Sequence, residues 1–225
     1  LGREHPHGGR GCLFGGVPGV DRAKVVVLGA GVVGKHAAAI AVGMGAEVWV
    51  VDRSPEVIEA HWQQFGTSTH TVFSTRDAVE QHVLDADLVI GGVLIPGASA
   101  PKLVTREMVA AMTPGSVIVD VAIDQGGCCE TSKATTHAVP TSVVNAVVHY
   151  CVANVPGGVP RTSTYALNNV TLPHILTLAD HGFREALKAD SHLRNGLNVH
   201  DGQVTNAEVA VDLGYNYVEP LSVLG

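Results

Sequence analysis

The segment from Ala23 to Asp52 constrains this chain more than any other. Ala23-Lys24-Val25-Val26-Val27-Leu28 is an apolar, β-branched run of the kind that makes a strand buried on both faces. Gly29-Ala30-Gly31-Val32-Val33-Gly34 follows at once, and Lys35-His36-Ala37-Ala38-Ala39-Ile40-Ala41 opens an alanine-rich helix. A second strand, Glu47-Val48-Trp49-Val50-Val51, then delivers Asp52, 18 residues beyond the last glycine. A glycine pattern alone is a weak signal. Inside a strand–turn–helix–strand unit that ends in an acid, it predicts a dinucleotide-binding crossover.

Each part of that unit has a physical task. Gly29 permits the tight turn, Gly31 lets backbone approach a pyrophosphate, and Gly34 removes a Cβ that would hold the helix off the sheet. The diphosphate belongs at the helix start, where free N–H groups and the helix dipole favour an anion. Gly29, Gly31, Val32, Val33 and Gly34 are therefore cofactor-binding candidates. Asp52 accepts hydrogen bonds from both adenosine-ribose hydroxyls, and its charge repels a 2′-phosphate. The expected cofactor is NAD rather than NADP, with Arg53 next door working against that preference.

The pattern repeats downstream. A helix is expected from Pro55 to Phe65, a short strand at His70–Phe73 and a helix from Thr75 to Leu84. Strands follow at Asp87–Val93, Ser116–Ala122 and Val147–Val152, with a helix near Arg106–Met112 between the first two. Alternating strands and helices predict an α/β fold, a doubly wound parallel sheet in the order 3-2-1-4-5-6, whose crevice opens at the carboxyl ends of its strands. The residues just past each strand are then the ones to line a cofactor: Asp52, Ser74, Val93, Leu94, Val121, Asp124, Val152, Asn154 and Val155. From about Pro160 the rhythm stops. Helices are expected at Thr162–Asp180, restarted at Pro173 behind a Thr171 cap, then at Gly182–Asp190 and Thr205–Leu213, with a weak strand near Tyr215–Val218. This divides the chain into residues 1–160, a glycine-rich leader plus the nucleotide domain, and residues 161–225, a mostly helical segment of another layer or domain.

A net charge of −7 and the lack of a basic cluster argue against a nucleic-acid partner. Apolar runs are only strand-length, so no membrane span is expected, and no signal peptide is read at the start, where Leu1 suggests a fragment or processed product. Cys12, Cys128, Cys129 and Cys151 lack C-x-x-C spacing and read as reduced thiols in a reducing, cytoplasmic compartment. Of the twelve histidines only His5 and His7 form a close pair, so no metal site is expected.

Several further motifs act in combination. Gly15-Gly16-Val17-Pro18-Gly19-Val20 precedes the glycine turn, and Val93-Leu94-Ile95-Pro96-Gly97 follows the fourth strand. Asp120-Val121-Ala122-Ile123-Asp124-Gln125-Gly126-Gly127, Tyr150-Cys151-Val152-Ala153-Asn154-Val155-Pro156 and Pro160-Arg161-Thr162-Ser163-Thr164 complete the series. From about His7 to Leu221 the chain resembles the alanine dehydrogenase/pyridine nucleotide transhydrogenase family. The resemblance implies NAD-dependent oxidation of L-alanine to pyruvate and ammonia, in a homo-oligomer that is usually a hexamer. It also implies that a preceding half, supplying a lysine, an arginine and a histidine to the substrate, lies outside this chain. Residues after Arg161 would return to that incomplete domain, leaving Leu167, Leu172, Ile175 and Leu178 exposed. The family's basic residue near the ribose falls close to Val57 here, an uncharged side chain.

Alanine oxidation needs a group to stabilise positive charge as the iminium forms. Asp124, beside Gly126 and Gly127, is the catalytic candidate and faces the nicotinamide ribose by the same resemblance; the lesser alternative for the bare residue is a loop acid capping a turn or helix. Asp120, four positions earlier on the same face, reads as a structural hydrogen-bonded acid. Asn154 offers an amide to the nicotinamide carboxamide or the substrate, or satisfies its own turn. His149, mid-strand, reads as a packed histidine. Two other functions stay open: a transhydrogenase-type NAD(H) module, and a non-catalytic NAD-binding fragment.

Overall fold

The computed structural model describes residues 8–93 and 100–225. Leu94, Ile95, Pro96, Gly97, His5 and His7 lie outside the described residues. The described chain falls into two compact units, residues 8–93 with 100–154, and residues 155–225.

The first unit is an alternation of strands and helices. It runs β1 (Lys24–Leu28), α1 (Val32–Gly43), β2 (Glu47–Asp52), α2 (Pro55–Phe65), β3 (His70–Phe73), α3 (Arg76–Leu84), β4 (Leu88–Gly91), α4 (Arg106–Ala111), β5 (Val117–Asp120), β6 (Thr141–Val144) and β7 (Val147–Tyr150). The sheet order is β3-β2-β1-β4-β5-β7-β6, parallel throughout except for β6 against β7. Side chains of β1 alternate between two cores. Val25 and Val27 pack with Ala38 and Ala41 of α1, while Val26 and Leu28 pack with Val79 and Val83 of α3 and with Met108 and Val109 of α4. Register aligns the strand ends: Leu28 lies between Val51 and Gly91, and Gly91 beside Asp120. That alignment presents the residues after each strand along one edge of the sheet.

The expected doubly wound sheet is present, with one strand more than the sequence foretold. β6 turns into β7 through Asn145 and Ala146 at φ of 50° and 59°, a two-residue hairpin. Asn-Ala is a poor match to the usual Asn-Gly signal, so the turn was not legible. The fourth, fifth and seventh strands are also shorter than expected. β5 ends at Asp120 because Val121–Gln125 winds into a 3₁₀ turn closed by Gly126 in the left-handed region.

The second unit holds α5 (Pro160–His181), α6 (Phe183–Ala189), α7 (Ser191–Arg194), the hairpin β8 (Val199–His200) with β9 (Gln203–Val204), α8 (Ala207–Leu213) and α9 (Pro220–Val223). Pro173 does not restart a helix; α5 runs through it unbroken. Thr171 does not cap either. Its hydroxyl donates to the Leu167 carbonyl four residues back at 2.9 Å, the bond a threonine makes inside a helix. Tyr215–Val218 forms no strand, only a single bridge between Tyr217 and Val204. Among the described residues no helix is long and apolar enough to cross a membrane.

Candidate functional site

The edge of the sheet beyond β1, β2 and β4 is built around glycines that cannot be replaced. A Cβ on Gly34 would lie 1.7 Å from the Gly29 carbonyl oxygen, and one on Gly29 (φ +94°) would lie 2.9 Å from the Gly92 oxygen. The start of α1, the turn and the end of β4 are thus in backbone contact. Gly31 is different: a Cβ there meets nothing within 4 Å. No packing reason requires a glycine at this position, and the open space in front of it is where a bulky anionic group fits.

The helix that begins there is also unlike its neighbours. Ser54, Thr75 and Thr105 cap α2, α3 and α4 with side-chain oxygens, and Glu56, Asp77 and Glu107 place a carboxylate in each first turn. α1 has neither a side-chain cap nor an acid in its first turn. Its leading N–H groups and positive dipole end remain for an external anion. Val32 and Val33 stand at this start, exposed at 77% and 40%.

Asp52 ends β2 and is tied to the turn. The Ala30 N–H donates to Oδ2 at 2.7 Å and the Ser54 N–H to Oδ1 at 2.9 Å. These bonds fix the carboxylate's orientation and leave each oxygen a further lone pair, enough for a vicinal diol. They also remove the Ala30 N–H from the set available to a phosphate. Ser74, half-buried, adjoins this acid, its N–H donating to the Asp52 carbonyl at 2.8 Å. Val93, half-buried, follows Gly92 on the other side of β1. The sequence candidates Gly29, Gly31, Gly34, Asp52, Ser74 and Val93 therefore follow four adjacent strands.

Farther along the edge, Val121 opens the 3₁₀ turn after β5, and Asp124 is exposed within it. Val152 is buried and bridged to Thr135, and the Asn154 carbonyl accepts from His137 Nε2 at 2.6 Å. Val155 opens the second unit. Lys102 was missed by the sequence reading; its ammonium donates to the Gly127 carbonyl at 2.8 Å, just past Asp124. A lysine after a proline reads as surface, and its partner lies 25 residues away, beyond any local signal.

The groups read as structural are held by the protein itself. Asp120, buried, accepts from the Cys128 and Cys129 N–H groups at 3.2 Å each and from Ser132 Oγ at 2.6 Å. His149 Nδ1 bonds the Val147 carbonyl at 3.1 Å, which makes Nε2 the acceptor for Thr131 Oγ1 at 2.7 Å. Burial lowers the His149 pKa and holds the ring neutral. Burial and the Asp120 charge push the Cys128 thiol up, so it stays protonated. Among the described residues no three His, Cys, Asp or Glu side chains group as a metal site. A cavity of about 1330 Å³, lined in part by Arg10, Lys24, Glu47, Asp85 and Asp87, opens at the amino ends of the strands, the far edge of the sheet from the glycine turn.

Residues 3–207 match the family described as alanine dehydrogenase/PNT, C-terminal domain. An alanine dehydrogenase of Halomonas elongata is 57% identical over 222 residues, 99% of this chain and 60% of that protein. A solved L-alanine dehydrogenase superposes with a TM-score of 0.85 at 48% identity, covering 94% of this chain and 58% of that one. A solved transhydrogenase from Sinorhizobium meliloti gives 0.62 at 34% identity, covering 84% and 51%. The chain thus spans about 60% of the length of curated relatives it matches.

Proposed function

Since the chain belongs to the alanine dehydrogenase/PNT C-terminal domain family, we propose that it is the NAD-binding part of an enzyme that oxidises L-alanine to pyruvate and ammonia. One observation carries the reading: the uncapped start of α1, the open space before Gly31 and the oriented Asp52 carboxylate meet at one turn. Together they match a diphosphate flanked by a ribose diol.

When bound, NAD supplies the acceptor for the hydride leaving the alanine Cα. The rest belongs to the chain. The Gly29–Gly34 turn and the first N–H groups of α1 bind the diphosphate, with Val32 and Val33 beside it. Asp52 takes the adenosine-ribose hydroxyls, and Ser74 lies on the same side. Val93, Leu94, Val121, Val152, Asn154 and Val155 complete the cofactor contacts. Asp124 holds its negative charge near the reacting amine and stabilises the cation that forms there. The groups that grip the substrate carboxylate come from the portion of the relatives' length that this chain does not span. L-alanine and pyruvate are accordingly the small-molecule partners, in a cytoplasmic homo-oligomer, a hexamer by resemblance. The free thiols at Cys12, Cys128, Cys129 and Cys151 suit a reducing compartment.

The alternative is a module that exchanges hydride with a second nucleotide domain, favoured by the likeness to the transhydrogenase. Titration with NADH and NADPH tests the shared core of both. The chain is expected to bind NADH and reject NADPH, and Asp52→Ala to weaken the first and admit the second. Equal affinity of the wild type for the two cofactors would overturn the assignment of Asp52.

A further inference from the structure

Lys102 and Asp120 are charged, and among the described residues neither has an ion-pair partner. Both direct their polar atoms at one loop. The Lys102 ammonium donates to the carbonyls of Gly126, Gly127 and Cys129, the second at 2.8 Å and the third at 3.5 Å. Asp120 accepts the N–H groups of Cys128 and Cys129. The Gly127 carbonyl and the Cys128 N–H are the two ends of one planar, trans peptide group, which point in opposite directions. That group therefore lies with its oxygen on a cation and its hydrogen on an anion, a dipole aligned between opposite charges.

The next peptide group is also held at both ends, by backbone on one side and by Asp120 on the other. Its oxygen, on Cys128, accepts from the Leu103 and Val104 N–H groups at 2.8 and 3.2 Å, while its hydrogen, on Cys129, reaches Asp120. Ala100 begins this lacing by donating to the Gln125 carbonyl at 2.9 Å, and Glu130 ends it by donating to Val104 at 2.9 Å. Segment 100–104 is thus sewn along segment 125–130. The loop needs such a restraint. Gly126 and Gly127 have φ of +86° and +76°, and two adjacent glycines leave backbone free to wander when nothing holds it. Glycine is itself demanded at the second position, where a Cβ would come within 2.6 Å of Asp120 Oδ2.

We propose that Lys102 is a positioning residue for Asp124: with Asp120 it grips opposite ends of the Gly127–Cys128 peptide group and so fixes the loop that closes the turn carrying Asp124. The idea rests on the cofactor-facing role given to Asp124 above. Lys102→Met keeps the stem and removes every donor; Lys102→Arg keeps donors and charge. Hydrogen exchange on the chain is expected to quicken by about tenfold or more at amides 126–130 in Lys102→Met, the factor one charge-assisted bond carries. Exchange in β1 and β4 stays at the wild-type rate, and Lys102→Arg restores the loop. NADH affinity changes little in Lys102→Met, while the nicotinamide emission of bound NADH shifts toward that of Asp124→Asn.

Unchanged loop exchange in Lys102→Met, or an arginine variant no better than methionine, overturns the clamp. If the methionine variant fails to fold, Lys102→Leu, which also lacks any donor, carries the same comparison. Asp124→Asn with wild-type nicotinamide emission overturns the link to Asp124. Wild-type chain that binds no NADH sinks the cofactor reading instead, and the exchange experiment still decides whether Lys102 holds the loop.

Discussion

Four consecutive residues of β1, Val25 to Leu28, are fully buried, whereas α5, 22 residues long, buries none of its own. The contrast extends to the whole of each unit. The first has two apolar layers on the faces of a seven-stranded sheet. The second buries little beyond Ala186, Leu187, Ala210 and Leu224, and leaves Tyr165, Leu167, Val170 and Ile175 of α5 more than half exposed. A helix normally draws its stability from one packed face. The first unit thus carries its own stabilisation, while α5 draws almost none from burial within this chain.

The sharpest way to break that contrast is to strike the first unit where it has no slack. Gly34→Ala puts a methyl group 1.7 Å from a backbone oxygen, so β1, α1 or β4 has to move. A loss of about 3 kcal/mol or more is expected, at the upper end of overpacking effects. Trp49 and Trp62 both lie in this unit, so urea melts followed by tryptophan fluorescence read it alone. A wild-type melt from Gly34→Ala would refute the close contact.

Asp52→Ala is next in size. Removing a charged acceptor costs about 1.5–3 kcal/mol, roughly ten- to a hundredfold in NADH affinity; the turn also loses its bonds from the Ala30 and Ser54 N–H groups, so affinity is read on chain that a urea melt shows to be folded. Calorimetric titration checks it, and a change under threefold would remove Asp52 from the site.

A smaller effect follows from pH. His61, His82 and His149 are each pushed down by burial, so the unfolded chain holds more protons than the folded one as pH falls. Their contribution is fully present above the ordinary histidine value of 6.5 and is lost as pH drops below it toward their lowered values. The tryptophan-detected urea midpoint should therefore fall between pH 7 and 5. A flat profile would mean that these rings gain compensating partners on protonation.

Least affected of all should be α5. Leu167→Ser and Ile175→Ser are expected to change stability by under about 0.5 kcal/mol, as for surface positions. A larger loss by circular dichroism would show a packed face where the structure shows an exposed one.

How much of this was legible follows the same division. The crossover from β1 to Asp52 reads directly because apolar periodicity, glycine chemistry and helix propensity all agree there. The extra strand β6 was hidden because Asn145-Ala146 makes its turn without the usual glycine. The continuity of α5 was hidden because proline normally breaks a helix, whereas α5 runs through Pro173. At the candidate site, the spacing alone singles out Gly31 and Asp52. Lys102 did not, because its role lies in carbonyls brought to it only by the folded sheet.

The bare start of α1 has a thermodynamic corollary. Three neighbouring helices finish their first turn with residues of their own sequence, and this one leaves the task to a solute. Occupancy then adds to the folding free energy by mass action, about 2.7 kcal/mol when the solute stands at a hundred times its dissociation constant. In a living cell the durability of this domain would track the size of the dinucleotide pool, making the polypeptide's lifetime a gauge of metabolic state.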